Sequence, residues 1–268
     1  MSLFSNKVVV ITGGSDGIGR ALVDAFLKMG AKVATCGRNY DKLYQIQATH
    51  AGKPLLILAT DISKENECKN FIDTVLQNFG QIDILINNAG ISMRALFSEV
   101  SLDALRKVMD VNFWGSVYCT KFALPSITEA KGSIISISSI AGVRGLPGRS
   151  GYSASKFALN GWMEAIRTEL LDTGVHVMWV SPGFTASNIR NAALNEDGLP
   201  QGESTMEEGE MMTAEECAQH IIEALEKRKR TLVLTATGKR TVFMNKFFPA
   251  FADKLVRNFF YKNGELVK

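Results

Sequence analysis

The stretch KVVVITGGSDGIGRALVDAFLKMG, residues 7–30, changes period in its middle, and that change decides the fold. Residues 7–12 form a short apolar run without alternation, the pattern of a strand buried on both faces. Beyond the turn, Ile18, Leu22, Ala25, Phe26 and Met29 recur at helical spacing across 17–29. Between them Gly13, Gly17 and Gly19 crowd a strand-to-helix turn that also carries Ser15, Asp16 and Ile18. Glycines without Cβ atoms let a pyrophosphate approach the backbone, and the helix N-terminus offers unpaired N–H groups and a positive dipole end. A tight turn that merely packs is the alternative on this stretch alone. The spacing is not GxGxxG, and the GK[ST] ending of a P-loop is missing, which argues against a nucleoside triphosphatase.

The same alternation continues along the chain. Apolar strand-like runs fall at 31–36, 54–61, 82–87, 132–138, 175–181 and 231–236. Helical patterns fall at 40–50, 64–79, 101–124 (stopped near Pro125), 152–171 and 213–227, the last opened by the capping-box pattern TAEE. Repeated β-α units favour a parallel sheet with right-handed crossovers, hence a three-layer, doubly wound Rossmann fold of about seven strands with helices on both faces. Ligands bind such sheets outside the carboxyl ends of the strands.

A chain of 268 residues can bury one large core, so we expect a single catalytic domain over 1–238 and a phenylalanine-rich extension over 239–268. The net charge of +3 is too small to indicate nucleic acid. Cys36, Cys68, Cys119 and Cys217 lie far apart with no metal-ligand spacing, so no metal is expected and they read as buried thiols of a reducing compartment. No signal peptide or membrane-spanning run is visible, and a cytoplasmic location is expected.

The second strand ends in ATCGRN, where a carboxylate would accept from the 2′-hydroxyl of NAD and an arginine would pair with a 2′-phosphate. Gly37 and Arg38 stand there, followed by Asn39, so NADP(H) is favoured over NAD(H). A solvent-facing arginine is the alternative.

Taken together the motifs resemble the short-chain dehydrogenase/reductase family over about residues 6–236. They are TGGSDGIG, NNAG at 87–90, Asn112 in VNFWG, Ser139 in SISSIAG, YSASK at 152–156 and PGFTAS at 182–187, in the family's order. The resemblance implies that Asp61, with Ile62 beside it, touches adenine, and that Asn88, Ala89 and Gly90 lie beside the ribose. It implies that Tyr152 is the general acid for carbonyl reduction, that Ser139 polarises the carbonyl oxygen and that Lys156 holds the nicotinamide ribose. Asn112 would keep a water in a proton relay, and Pro182, Gly183 and Thr185 would fix the nicotinamide. The family spacing selects Ser139 over Ser138, and Ser187 stands where the family usually has Thr. Tyr152 and Lys156, four apart, share a helix face, so the ammonium is expected to lower the phenol's pKa. His50, His176 and His220 fall in no motif and read as structural or surface residues.

Residues 188–212 are polar, acidic and aperiodic, as a substrate lid would be. Met93, Arg94, Val143 and Leu146 are further candidates for the pocket wall. In the tail, phenylalanines interleave with Lys and Arg and break near Pro249, which suits a membrane surface, a neighbouring subunit or a cover over an apolar substrate. A helix packed on its own domain is the plainer reading. The tail is also similar to the branch related to 11β-hydroxysteroid dehydrogenases and dehydrogenase/reductase 7-type reductases, and a homodimer or homotetramer through the helices at 101–124 and 152–171 is implied. The expected activity is interconversion of a carbonyl and a secondary alcohol on a small, apolar or lipid-like molecule. A 3-oxoacyl thioester reductase and a non-catalytic NADP-binding sensor or scaffold are the alternatives.

Overall fold

The computed structural model describes residues 2–202 and 211–267. Strands β1 (Val8–Thr12), β2 (Lys32–Gly37), β3 (Leu55–Ala59), β4 (Ile84–Asn87), β5 (Ser133–Ile137), β6 (His176–Ser181) and β7 (Thr231–Val233) form one sheet in the order β3-β2-β1-β4-β5-β6-β7. Every pairing in it is parallel. The chain winds outward from β1 to β3, then returns to β4 on the other edge of β1. The ends of β1 and β4 therefore splay apart into a crevice, the usual ligand position of such a sheet.

The unbroken apolar run of β1 has a direct cause. Val9 and Ile11 belong to a core with Leu22 and Phe26 of α1 (Gly17–Lys28), Leu43 of α2 (Tyr40–Thr49) and Ile221 and Ile222 of α7 (Ala214–Glu226). Val8 and Val10 pack on the opposite face with Phe71 and Val75 of α3 (Glu65–Phe79), Ala123 of α5 (Gly115–Glu129) and Met163 of α6 (Ser150–Glu169). Each of the Val, Leu, Ile, Phe and Met side chains among them, taken fully from water, contributes about 1.5–3 kcal/mol.

Asp83, 4% exposed, joins β1 and β4 at their amino ends, at the opposite end of the sheet from the crevice. Its carboxylate accepts from the Val8 N–H and the Lys7 ammonium, both at 2.8 Å, and from Gln81. Burial raises its pKa, but these donors outweigh burial and hold it below the ordinary value.

The helix expected over 101–124 is three segments. α4 (Leu102–Met109) passes through a π-turn, Asp110–Trp114, into α5, which contains Pro125 and ends at Glu129. Proline costs a helix one N–H bond, but Pro125 lies near the last turn and the flanking Ala123 and Ile127 are fully buried, so packing carries the helix past it. The helix expected at 152–171 begins at Ser150 and closes in a short 3-10 turn, Leu171–Thr173.

The tail folds back on the domain. α8 (Ala236–Phe247) starts before residue 239, and α9 (Pro249–Phe260) opens with Pro249 at its first position, where the missing N–H costs nothing. A two-residue hairpin, β8 (Tyr261–Lys262) with β9 (Glu265–Leu266), follows. Phe243, Phe247, Phe248, Phe251 and Phe259 are exposed, whereas Ala252 and Phe260 are buried. No helix among the described residues is long and apolar enough to cross a membrane. All four cysteines are free and buried, and burial pushes the Cys36 and Cys217 thiols up to about 12. Among the described residues no cluster of His, Cys, Asp and Glu could hold a metal ion.

Candidate active site

A cavity of about 460 Å³ lies at the carboxyl ends of the strands, across the β1/β4 switch point. Its floor at one end is the β1–α1 turn. Gly13 adopts φ +71°, and a Cβ there would sit 2.8 Å from the Ala89 Cα. Asn88 donates from Nδ2 to the Thr12 and Gly13 carbonyls at 3.0 and 3.1 Å, and the N–H groups of Asn88 and Ala89 donate to Thr12 Oγ1 at 3.1 Å. Thr35 holds the turn from the other side, accepting from Gly14 N–H and donating to the Ile11 carbonyl. Asp16 caps α1 through the Gly17 N–H. The glycines leave a concave backbone surface at a helix N-terminus, which fits the diphosphate of a dinucleotide.

Every residue expected at the nucleotide except Gly19 lines this cavity, including Arg38, Asn39, Asp61, Ile62 and Thr185. Gly19 lies one layer behind: a Cβ on it would come within 2.3 Å of the Gly13 carbonyl oxygen and 2.4 Å of Asn88 Nδ2. Lys42, which the sequence reading passed over, joins Arg38 in the wall and pairs with Asp16 at 3.1 Å. Its place on the first turn of α2, four residues after Arg38, is the signal that could have found it. Ser187 also lines the wall, over Gly17.

Ser139, Tyr152 and Lys156 line the other end. Ser139 follows β5 in extended conformation, accepting from the Ala141 N–H, and its hydroxyl hydrogen-bonds Tyr152. Ser138 is turned away toward the Lys156 carbonyl. Lys156 is buried and donates to the Ile137 carbonyl at 2.8 Å, with Nζ 5.7 Å from the Tyr152 ring centre. Burial brings its pKa down to about 8. The phenol differs from expectation: the Tyr152 pKa is raised, because desolvation outweighs the Ser139 bond and the Arg149 charge. The Lys156 ammonium is committed to Ile137 and is itself disfavoured by burial, so it does not hold the phenolate.

Asn112 does not reach the cavity. Fully buried in the π-turn, it accepts from the Ile91 N–H at 2.8 Å and donates to the Ile91 carbonyl and Ser155 Oγ, both at 2.9 Å. It therefore clamps the loop after NNAG to α6 at Ser155, the residue immediately before Lys156. Of the four candidate wall residues, only Leu146 lines the cavity; Met93 packs in a small core with Val108 and Leu194. Residues 188–190 and 192 contribute to the wall, and residues 203–210 of the expected lid lie outside the described residues.

The tail frames this end. Phe259 stacks on Phe184 of the wall, with centroids 6.0 Å apart, and Leu266 packs on Gly148. Asn245 donates to the Val143 carbonyl, and Arg144 pairs with Asp253. Phe260 lies under the Arg149 guanidinium, and Arg149 lines the cavity beside Tyr152. Neither Arg149 nor Phe184 stood out in the sequence.

A doubly wound parallel sheet with Ser139, Tyr152 and Lys156 gathered at its crevice defines a dehydrogenase-type site. The chain belongs to the short chain dehydrogenase family, whose model matches residues 7–198. That family consists of oxidoreductases interconverting carbonyls and alcohols. The chain is 36% identical over 262 residues to mouse Dehydrogenase/reductase SDR family member 7B, covering 93% of this chain and 81% of the relative. It is 33% identical over 255 residues to 11-beta-hydroxysteroid dehydrogenase A of Arachis hypogaea, covering 91% and 73%. Among solved structures, a short chain dehydrogenase/reductase of Burkholderia phymatum in complex with NAD superposes with TM-score 0.84 at 23% identity, covering 94% of this chain and 96% of that one. An alcohol dehydrogenase of Thermococcus sibiricus complexed with 5-hydroxy-NADP superposes with TM-score 0.75 at 25% identity, covering 86% and 96%.

Proposed function

We propose that the protein is an NADP(H)-dependent oxidoreductase interconverting a carbonyl and a secondary alcohol, with Tyr152 as general acid and base. The observation that carries this reading is the single cavity whose one end is a glycine cradle and whose other end holds Ser139, Tyr152 and Lys156. When bound, the nicotinamide supplies hydride to the carbonyl carbon or accepts it from the carbinol carbon. Tyr152 then gives its proton to the developing alkoxide oxygen, and Ser139 donates a hydrogen bond to the same oxygen, stabilising charge only as it forms. Lys156 holds the ribose hydroxyls, and Asn112 acts through the loop and helix it joins. A phenol kept protonated by burial is a ready donor, so reduction is favoured near neutrality. Alcohol oxidation, which needs the phenolate, gains with rising pH beyond the ordinary phenol value.

The phosphorylated nucleotide is favoured because Arg38 and Lys42 both face the adenosine end, where a 2′-phosphate would bring charge to match. The neighbouring structures carry either nucleotide and do not choose between them. We further propose one catalytic unit over 1–238 with the tail as an extension, and a homodimer or homotetramer across the α4–α5 segment and α6, where Trp114 of the π-turn and Phe157 of α6 are exposed.

Fluorescence titration with NADPH and NADH tests the nucleotide; Arg38→Ala should weaken NADPH by about tenfold or more and leave NADH nearly unchanged. A carbonyl panel under the preferred nucleotide tests the chemistry, and Tyr152→Phe should lower kcat by about a thousandfold while nucleotide binding persists. Binding of neither nucleotide would remove the reading at its root.

A further inference from the structure

Arg149 immediately precedes α6 and is 8% exposed. Its guanidinium lies over the Phe260 ring, 5.2 Å from the centre, and its Nη1 has no hydrogen-bond partner among the described residues. Among the described residues the groups bearing on its charge are the Tyr152 hydroxyl and two further guanidiniums, Arg94 and Arg190. Burial lowers its pKa, Tyr152 works against that shift, and the two arginines add to it. α6 starts without a side-chain cap bond, so the positive end of its dipole falls at the same place.

Among the described residues no carboxylate pairs with Arg149, and a buried cation left so is costly beyond what its contact with Phe260 returns. That cost is recovered when a ligand brings an anion to the spot. The planar guanidinium fork matches a carboxylate or a phosphate, whereas the aromatic ring beneath it fixes its plane. Arg190 lines the same cavity, held by its own bond to the Thr185 carbonyl at 3.0 Å. Leu146 and Phe184 supply apolar wall nearby.

We propose that the substrate carries an anionic group, a carboxylate or a phosphate monoester, which Arg149 binds close to the reacting carbon while the apolar part rests on Leu146 and Phe184. This rests on the carbonyl-reductase reading given above and narrows it to one substrate class. A steroid-like or simple hydrocarbon ketone would leave Arg149 unmatched.

The test uses the full chain with saturating NADPH and matched pairs of probes. These are straight-chain oxo-carboxylates of varied spacing against their methyl esters, and oxo-alkyl phosphates against the parent oxo-alcohols. We expect kcat/KM for the better anion to exceed that of its neutral partner by about ten- to a hundredfold. Arg149→Met should bring the ratio to about one, and Arg149→Lys should retain part of it. A wild-type ratio near one, or a ratio that Arg149→Met leaves unmoved because both partners fall equally, overturns the proposal.

If the wild type reduces no probe, the reductase reading has failed, and binding decides the anion site separately. Calorimetry with octanoate, octyl phosphate and octanol in the presence of NADP supports the site if either anion binds at least about tenfold tighter than octanol and Arg149→Met abolishes the difference. Equal binding of all three overturns it. Circular dichroism melting checks each variant's fold, and Arg149→Gln, which also removes the charge, replaces the Met variant if that one does not fold.

Discussion

At one end of the cavity the wall is backbone, and at the other it is side chains gathered from far apart. The nucleotide end is set by consecutive glycines and stitched by Thr12, Thr35 and Asn88, whose bonds run to main-chain atoms. The substrate end is set by Arg149, Phe184 and a tail that docks through Phe259, Phe260 and Leu266. Backbone cradles admit almost no change of shape; side-chain walls can be rebuilt one residue at a time. One half of the site is thereby fixed by the ligand common to a family, and the other is free to follow a particular substrate.

This contrast can be broken or sharpened by substitution. Gly19→Val should have the largest effect, because its Cβ would meet the Gly13 carbonyl at 2.3 Å and only backbone can give way. We expect a loss of about 3 kcal/mol or more in denaturant unfolding, and no measurable nucleotide binding in the folded fraction. Wild-type affinity in this variant would show the cradle to be deformable.

Phe260→Ala should also cost about 3 kcal/mol, but locally. Hydrogen exchange should show residues 249–267 losing protection while β1 keeps its own. A parallel loss in β1 would make the tail part of the main cooperative unit.

Lys156→Met should stabilise. Burial holds the lysine near 8 in the fold against an ordinary value of 10.5, so the folded state binds fewer protons than the unfolded between those values. Stability of the wild type therefore rises with pH across that window, and at lower pH the buried charge costs roughly 3 kcal/mol, less what the Ile137 bond returns. The variant should melt higher at pH 7 and lose its advantage by about pH 10.5. An advantage that persists at high pH would mean that packing, and not charge, is responsible.

Asp253→Asn should do least. Its partner Arg144 is mostly buried, but Asp253 is 67% exposed, so the pair contributes under about 1 kcal/mol. Faster protease cleavage of the tail with an unchanged melting temperature is the expected result.

The same contrast explains what could be read from the sequence. All seven strands of the sheet were legible: β1, β4, β5 and β6 because burial of every residue writes a near-continuous apolar run into the sequence, and the partly exposed edge strands β3 and β7 because their apolar runs survive even so. The glycine turn, Arg38 and the Tyr152–Lys156 pair were legible because each is local. Pro125 misled because a local rule was applied where tertiary packing prevails, and the π-turn around Asn112 leaves no mark in hydrophobic spacing. The Tyr152 phenol shifted the other way because burial of both partners is a property of the assembled fold. Arg149 was invisible for a related reason: its meaning depends on Phe260, more than a hundred residues later. A lone arginine in PGRSGY, in a segment otherwise of Gly, Ser and Pro, was the faint signal available.

The switch point has a consequence in time. β1 forms the middle of the sheet, yet the group that claims the Val8 N–H, Asp83, lies 75 residues downstream. During synthesis at about 5–20 residues per second, β1 exists for several seconds with its inner edge unsatisfied. An apolar strand with one open edge is a template for another chain. The hazard of pairing with another chain is therefore met during synthesis, and the open edge passes from β1 to β4, β5 and β6 in turn as each following strand emerges.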